Sequence, residues 1–196
     1  MILNHLWGIY AHPKEEWVCI EKRHESLKFS LSHILIITLI PAVMAYYSAT
    51  HLGWSIGVGD RIFLTPLQSL EMAIAIYTVL VGGIFLLTYI IHQVAKYYDS
   101  KPDVPQSLEL ASYTATPLFM SGLAAFYPEL WFFFIISMAG LTYSIYLLYV
   151  GTPIIMKIPE EEGFVYASTV MTAGIILLVA SMIAAVIIWG WLFSPI

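Results

Sequence analysis

The first candidate for chemistry is a polar string in the middle of an otherwise apolar stretch. The string is Tyr113-Thr114-Ala115-Thr116-Pro117, and Ser121 follows it closely. If the stretch is helical, Pro117 has no N–H to donate, so the carbonyl of Tyr113 loses its helical partner. Within a bilayer that carbonyl needs another donor, a water or a ligand. Interrupted membrane helices form ligand sites in transporters.

Glu109 belongs to the same stretch and is the charged residue closest to the string. Charged side chains near a membrane are costly and often functional. A second interpretation is that Glu109 complements a helix dipole, two residues after a Ser107 cap. Likewise, proline and threonine can simply bend a helix while neighbouring hydroxyls bond its backbone. The candidate ligand or path-lining residues are therefore Tyr113, Thr114, Thr116, Pro117, Ser121 and Glu109.

Other site chemistry has little support in the sequence. The N-terminal part of the chain has four histidines and one cysteine that could be considered as metal ligands: His5, His12, His24, His33 and Cys19. Their spacing matches no known metal-ligand pattern. No catalytic motif is present. We therefore expect no metal site, no cofactor, no catalytic residue and no enzymatic activity. A net charge of -5 also argues against a nucleic-acid partner.

The composition is that of an all-α, polytopic membrane protein. Of the 196 residues, 60% are hydrophobic and only 11% are charged, where a soluble domain carries about 25%. Apolar runs long enough to cross about 30 Å of hydrocarbon recur along the chain. We predict five transmembrane helices within a domain spanning residues 33–196. Their approximate bounds are 33–52, 65–94, 107–126, 130–150 and 164–192.

Local signals fix several helix ends. Thr65 followed by Pro66 and Gln68 is a capping box with proline at the first helical position, so the second span begins there. Residues 127–129 are a short turn between the third and fourth spans. The acidic run 160–162 is typical of a first helical turn leading into the fifth span. Residues 1–32 form a polar N-terminal region, in which Pro13 begins a helix that lies in the membrane interface or remains a solvated tail.

The distribution of lysine and arginine predicts the orientation. Seven of these residues fall on the N-terminal side and only Arg61 falls on the other, which places the N-terminus in the cytoplasm and the C-terminus outside. Four tryptophans then fall at the outer interface, where their rings prefer to lie: Trp54, Trp131, Trp189 and Trp191.

Several strings together resemble the bacterial Yip-domain family of inner-membrane proteins. They are His5-Leu6-Trp7-Gly8, His12-Pro13, the string 113–119, Ser121-Gly122-Leu123, the string 146–151 and Glu161-Glu162-Gly163. The resemblance covers nearly the whole chain. It implies a five-helix Yip-type domain with a cytoplasmic N-terminal region, in a multi-pass protein of the inner membrane. Eukaryotic Yip proteins bind Rab-type GTPases, using determinants that include long N-terminal regions, whereas this chain has only residues 1–32 there.

Two functions remain open from the sequence. The first is a non-enzymatic protein that binds a protein or lipid partner at its cytoplasmic face. The candidate partner-binding residues are Trp7, His12, Trp17, Lys101 and Lys157. The second is a small-solute or ion transporter or channel with its path at the broken third helix. A homo-oligomer would then be needed, because five spans are few for a pore.

Overall fold

The chain folds into helices, as seen in a computed structural model that describes residues 2–23, 27–55, 60–98, 100 and 102–192. These residues contain no β-strand. The helices are α1 (Ile2–Ala11), α2 (Pro13–Arg23), α3 (Leu27–Tyr47), α4 (Pro66–Ala95), α5 (Val104–Met120), α6 (Leu130–Met156) and α7 (Glu160–Leu192). A π-helical turn, Ser48–Leu52, continues α3, and a 3₁₀-helix, Ser121–Phe126, continues α5.

The helix starts follow the local sequence signals. The Thr65 hydroxyl accepts from the Gln68 N–H at 3.4 Å, and the Gln68 side chain accepts from the Thr65 N–H at 3.1 Å, which confirms the predicted capping box. The helix start at Pro13 is confirmed, as is the acidic first turn of α7. The Ser107 cap is wrong. Helix α5 begins one turn earlier, where the Gln106 side chain accepts from the Asp103 N–H at 2.9 Å.

Four helical segments of the described chain are long and apolar enough to cross a membrane. They are Leu27–Leu52, Pro66–Ala95, Leu130–Met156 and Glu160–Ile187. Helix α5 is not among them. The predicted third span, 107–126, is divided between a 17-residue α-helix and a narrower 3₁₀-helix that begins soon after Pro117.

Helix α5 is the centre of the bundle. Eleven of its 17 residues are buried, because it packs against α3, α4 and α6. The large apolar side chains of α7, such as Ile176 and Val186, are by contrast exposed along much of the helix, as expected of a surface that faces lipid.

The two ends of the bundle differ. At one end, called here the Trp54 end, Trp54 and Ile62 pair through their backbones and Arg61 lies 3.5 Å from Glu129. At the opposite end, called the Lys157 end, α4 and α6 finish and α5 and α7 begin. Lys157 ends α6 in the left-handed conformation, with a φ of 55°. Helices α1 and α2 pack together, and α2 lies along α6 at the Lys157 end.

Candidate functional site

One face of α5 carries the polar side chains around which the candidate site is built. Glu109, Tyr113 and Thr116 are four and three residues apart, so they lie on the same side of the helix. Tyr113 and Thr116 are fully buried, and Glu109 is only 1% exposed. The sequence selected all three, and the structure places them on the side of α5 that meets α3, where His33 contacts both Tyr113 and Thr116.

His33 of α3 joins this face, which the sequence did not reveal. The His33 Nε2 and Thr116 Oγ1 atoms are 3.0 Å apart, and the His33 and Tyr113 ring centroids are 4.6 Å apart. The Thr116 hydroxyl has a single proton, which it donates to the Ser112 carbonyl at 2.9 Å. With that proton used, the Thr116 oxygen accepts from His33 in the tautomer of the imidazole that carries its proton on Nε2. We call His33, Glu109, Tyr113 and Thr116 the buried polar cluster.

Trp17 of α2 lies against the buried polar cluster. Its ring meets Tyr113 edge-on, with ring centroids 6.2 Å apart, and its side chain is fully buried. The indole fits against Gly151 of α6, where an added Cβ would lie 2.5 Å from the Trp17 ring. A glycine at this position is therefore what allows α2 to lie so close to α6. Trp17 was predicted to bind a partner, but its burial makes it part of the core instead.

Polar contacts fix the two N-terminal helices on α6. The Lys157 Nζ atom lies 2.7 Å from Glu21 of α2. The Tyr143 hydroxyl donates to the Ile9 carbonyl at 3.0 Å, and the Tyr10 and Tyr143 rings stack with centroids 5.4 Å apart.

The other predicted partner-binding residues lie in different surroundings. Trp7 on α1 is 76% exposed, and His12 and Lys157 are also exposed. Lys101 falls outside the described residues. Three of the five residues are therefore available to a partner in the described chain, although Lys157 also pairs with Glu21.

The remaining path-lining candidates do not share the surroundings of the buried polar cluster. The Ser121 hydroxyl donates to the Leu118 carbonyl at 2.6 Å, and Pro117 is buried inside α5. Thr114 is one of the residues that line a cavity between α4, α5, α6 and α7. The six residues selected from the sequence are thus divided between different sides of α5 and the 3₁₀-helix that continues it.

The buried polar cluster combines two titratable side chains, His33 and Glu109, with the hydroxyl groups of Tyr113 and Thr116 inside a bundle of apolar helices. Such a set can exchange protons or hold a polar ligand if α2 moves. The described residues contain no group of three or more His, Cys, Asp or Glu that could hold a metal ion. His33 bonds to Thr116, and His12 and Cys19 are exposed.

The chain is similar to known inner-membrane proteins over nearly its whole length. The model of the family described as Yip1 domain matches residues 7–182. Inner membrane protein YohC of Escherichia coli K12 is 32% identical over 190 residues, which cover 96% of this chain and 97% of the relative. The protein of the same name from Escherichia coli O6:H1 gives the same identity and coverage. No solved structure matches the chain.

Proposed function

The chain belongs to the Yip1 domain family and is a multi-pass protein of the inner membrane, and from this premise we propose that it is a non-enzymatic protein that binds a partner at its cytoplasmic face. The proposal includes five membrane-spanning segments, with α5 and the following 3₁₀-helix as the third. Together these two elements cover residues 104–126. A segment of this length can cross most of the bilayer. The neighbouring helices surround α5 along this path.

The proposed orientation places the Lys157 end in the cytoplasm and the C-terminus outside. It is supported by the seven lysines and arginines on that side, against Arg61 at the Trp54 end. We expect a phosphatase that is active only outside the cytoplasm to be active when fused after Ile196, and a fluorescent protein that folds only in the cytoplasm to be dark there. The reverse pair of signals would invert the proposed faces.

The observation that carries the partner-binding proposal is the exposure of Trp7. It is 76% exposed, yet its helix is fixed to the bundle through the contacts of Ile9 and Tyr10 with Tyr143. A large exposed aromatic side chain held by a fixed helix is typical of interface anchors. Tyr143 lies 13 residues before the end of α6, about 20 Å along the helix, so α1 extends from the cytoplasmic face into the cytoplasmic leaflet, where lipid is the nearest partner. A lipid surface is therefore the partner that Trp7 fits best.

We expect a photocrosslinking residue at position 7 to capture lipid or one specific protein in native membranes. The matched control is an aliphatic residue bearing a diazirine at position 9 of the same helix, where the natural isoleucine is fully buried and only crosslinks within the chain should form. Mass spectrometry of the purified adducts identifies the captured molecule. Absence of any intermolecular adduct at position 7, or equal adducts at both positions, would contradict the proposed surface.

Transport is the second candidate function, and burial of His33 and Glu109 on facing helices favours it. A proton carried through the membrane needs titratable groups at depth, and these are the groups that the buried polar cluster offers. If it is a transport path, Glu109→Gln and Thr116→Val should each lower the proton flux of reconstituted vesicles at least several-fold. Unchanged flux in both variants, or no flux in the natural protein, would exclude this role.

A further inference from the structure

We propose that the cavity between α4, α5, α6 and α7 binds a neutral lipid that carries a carbonyl group within its chain. This site is separate from the cytoplasmic face of the proposed function and from the buried polar cluster. The cavity has a volume of about 110 Å³. Thr114 and Ser144 are its hydroxyl-bearing lining residues, from α5 and α6, and its other walls include Leu87 of α4 and Val170 of α7.

The two hydroxyls indicate that the cavity receives a polar group. Most threonine hydroxyls in the described membrane helices donate to the carbonyl four residues earlier, as Thr38, Thr88 and Thr152 do. Thr114 and Ser144 instead have buried oxygens that find no hydrogen-bond partner among the described residues. Both side chains are more than nine-tenths buried, with exposures of 7% and 6%. An unpaired buried hydroxyl destabilises the fold, and a bound acceptor would remove that penalty.

The lining determines the charge class of the ligand. In the part of the chain that the structure describes, no charged or titratable side chain lines the cavity, and apart from Thr114 and Ser144 its lining residues are apolar or glycine. An ion, a phosphate or a charged headgroup would therefore lose its hydration without compensation. A neutral hydrocarbon chain suits the walls, and a carbonyl oxygen can accept a hydrogen bond from a hydroxyl of the lining.

The depth and the exposure of the cavity indicate that the ligand comes from the bilayer. Thr114 lies ten residues into α5, about 15 Å from its start, and Ser144 lies 12 residues before the end of α6, about 18 Å. Both are near the middle of a hydrocarbon layer about 30 Å thick. Ile175, which lines the cavity, is 40% exposed on the lipid-facing helix α7. A chain can therefore reach the site sideways from the membrane.

The experiment compares two photoreactive probes with the full chain in phosphatidylcholine nanodiscs. Both probes are alkyl chains with a diazirine, and one also has a ketone in mid-chain. We expect the ketone probe to label α5 and α6 about tenfold more than the plain probe, because a hydrogen bond to a hydroxyl that is otherwise unpaired contributes up to about 1.4 kcal/mol. The double variant Thr114→Val with Ser144→Ala should remove this preference while keeping the shape of the cavity.

A space-filling variant tests whether the cavity itself is the site. Gly174 lines it, and of the described residues an added Cβ there would meet only Leu87, at 3.9 Å. Gly174→Leu should therefore fit and reduce labelling by the ketone probe several-fold. The matched control is Gly82→Leu, because Gly82 is exposed on α4 and an added Cβ meets nothing within 4 Å. Labelling should stay unchanged in that variant.

Three results would overturn the proposal. Equal labelling of the natural chain by both probes would mean that the cavity holds water or plain hydrocarbon and recognises no carbonyl. A ketone preference that survives the double variant would remove the role of the hydroxyls. Labelling that is unaffected by Gly174→Leu would place the probe elsewhere. Since Thr114→Val and Ser144→Ala change the volume little, thermal stability in detergent shows whether each variant is folded.

Discussion

Replacing Gly151 by alanine is expected to release α2 from the bundle. The added methyl group would lie 2.5 Å from the Trp17 ring, and the ring is enclosed and has little space to move into. Overpacking of a filled core costs about 1–3 kcal/mol. The cost falls on the contact between α2 and α6, so we expect α2 to detach while α3 to α7 stay folded.

Removing the Trp17 indole should also detach α2, because it leaves the contact with α6 underpacked, whereas Gly151→Ala overpacks it. Trp17→Ala leaves a cavity against Gly151 and Tyr113, and truncation of a buried tryptophan costs about 3–5 kcal/mol. The matched control is Trp7→Ala, which removes the same side chain from a site that is 76% exposed. The cost there should stay below about 0.5 kcal/mol, as for most surface substitutions.

Cys19 provides the measurement. It is exposed on α2 and is the only cysteine in the sequence, so a nitroxide label attaches at one position. In Gly151→Ala and Trp17→Ala the spectrum should shift to the fast motion of a free helix, and in Trp7→Ala it should match the natural chain. Unchanged slow motion in both Gly151→Ala and Trp17→Ala would show that the contact between Trp17 and Gly151 does not hold α2.

Gly122→Ala should destabilise the bundle itself, because the added methyl group would collide with the backbone of α3. An added Cβ on Gly122 would lie 2.8 Å from the Cα atom of Pro41. A backbone atom cannot rotate away as a side chain can, so the 3₁₀-helix and α3 must separate. We expect a loss of about 2–3 kcal/mol, at the upper end for overpacking, and a lower midpoint of thermal unfolding in detergent.

Gly82→Ala is the matched control for this substitution. Gly82 is also helical, but it is exposed and an added Cβ has no neighbour within 4 Å. Alanine favours a helix over glycine by up to about 1 kcal/mol, so this variant should be neutral or slightly more stable. If both variants unfold at the same temperature, the close approach of Gly122 to Pro41 does not limit which residue the protein tolerates at position 122, and the prediction is wrong.

Helix starts and membrane character were available from the sequence. The capping box at Thr65 and Gln68, the proline at the start of α2 and the acidic first turn of α7 depend on neighbours within four residues. Apolar length likewise needs no tertiary information, because it reflects the thickness of the bilayer. The family resemblance is also a property of the sequence alone, and the match of residues 7–182 to the Yip1 domain confirms it.

The length of α5 could not be predicted from its own sequence. Its residues are apolar enough to suggest a full span, but Pro117 is followed by a change to 3₁₀-helix, and the helix lies inside the bundle. Burial by other helices removes the requirement for a long lipid-facing segment. The burial of α5 depends on the positions of α3, α4 and α6, which the sequence does not reveal.

The faces of the helices were decided only by the tertiary structure. In a soluble protein, polar residues mark the outer side of a helix, but lipid is as apolar as the protein interior and leaves no such pattern. The sequence therefore selected Tyr113, Thr114 and Thr116 as one group, whereas α5 directs Thr116 to His33 and Thr114 to a cavity shared with Ser144. The sequence likewise suggested that Trp17 is on the surface. Its burial becomes visible only when the indole is seen packed against Gly151 of α6.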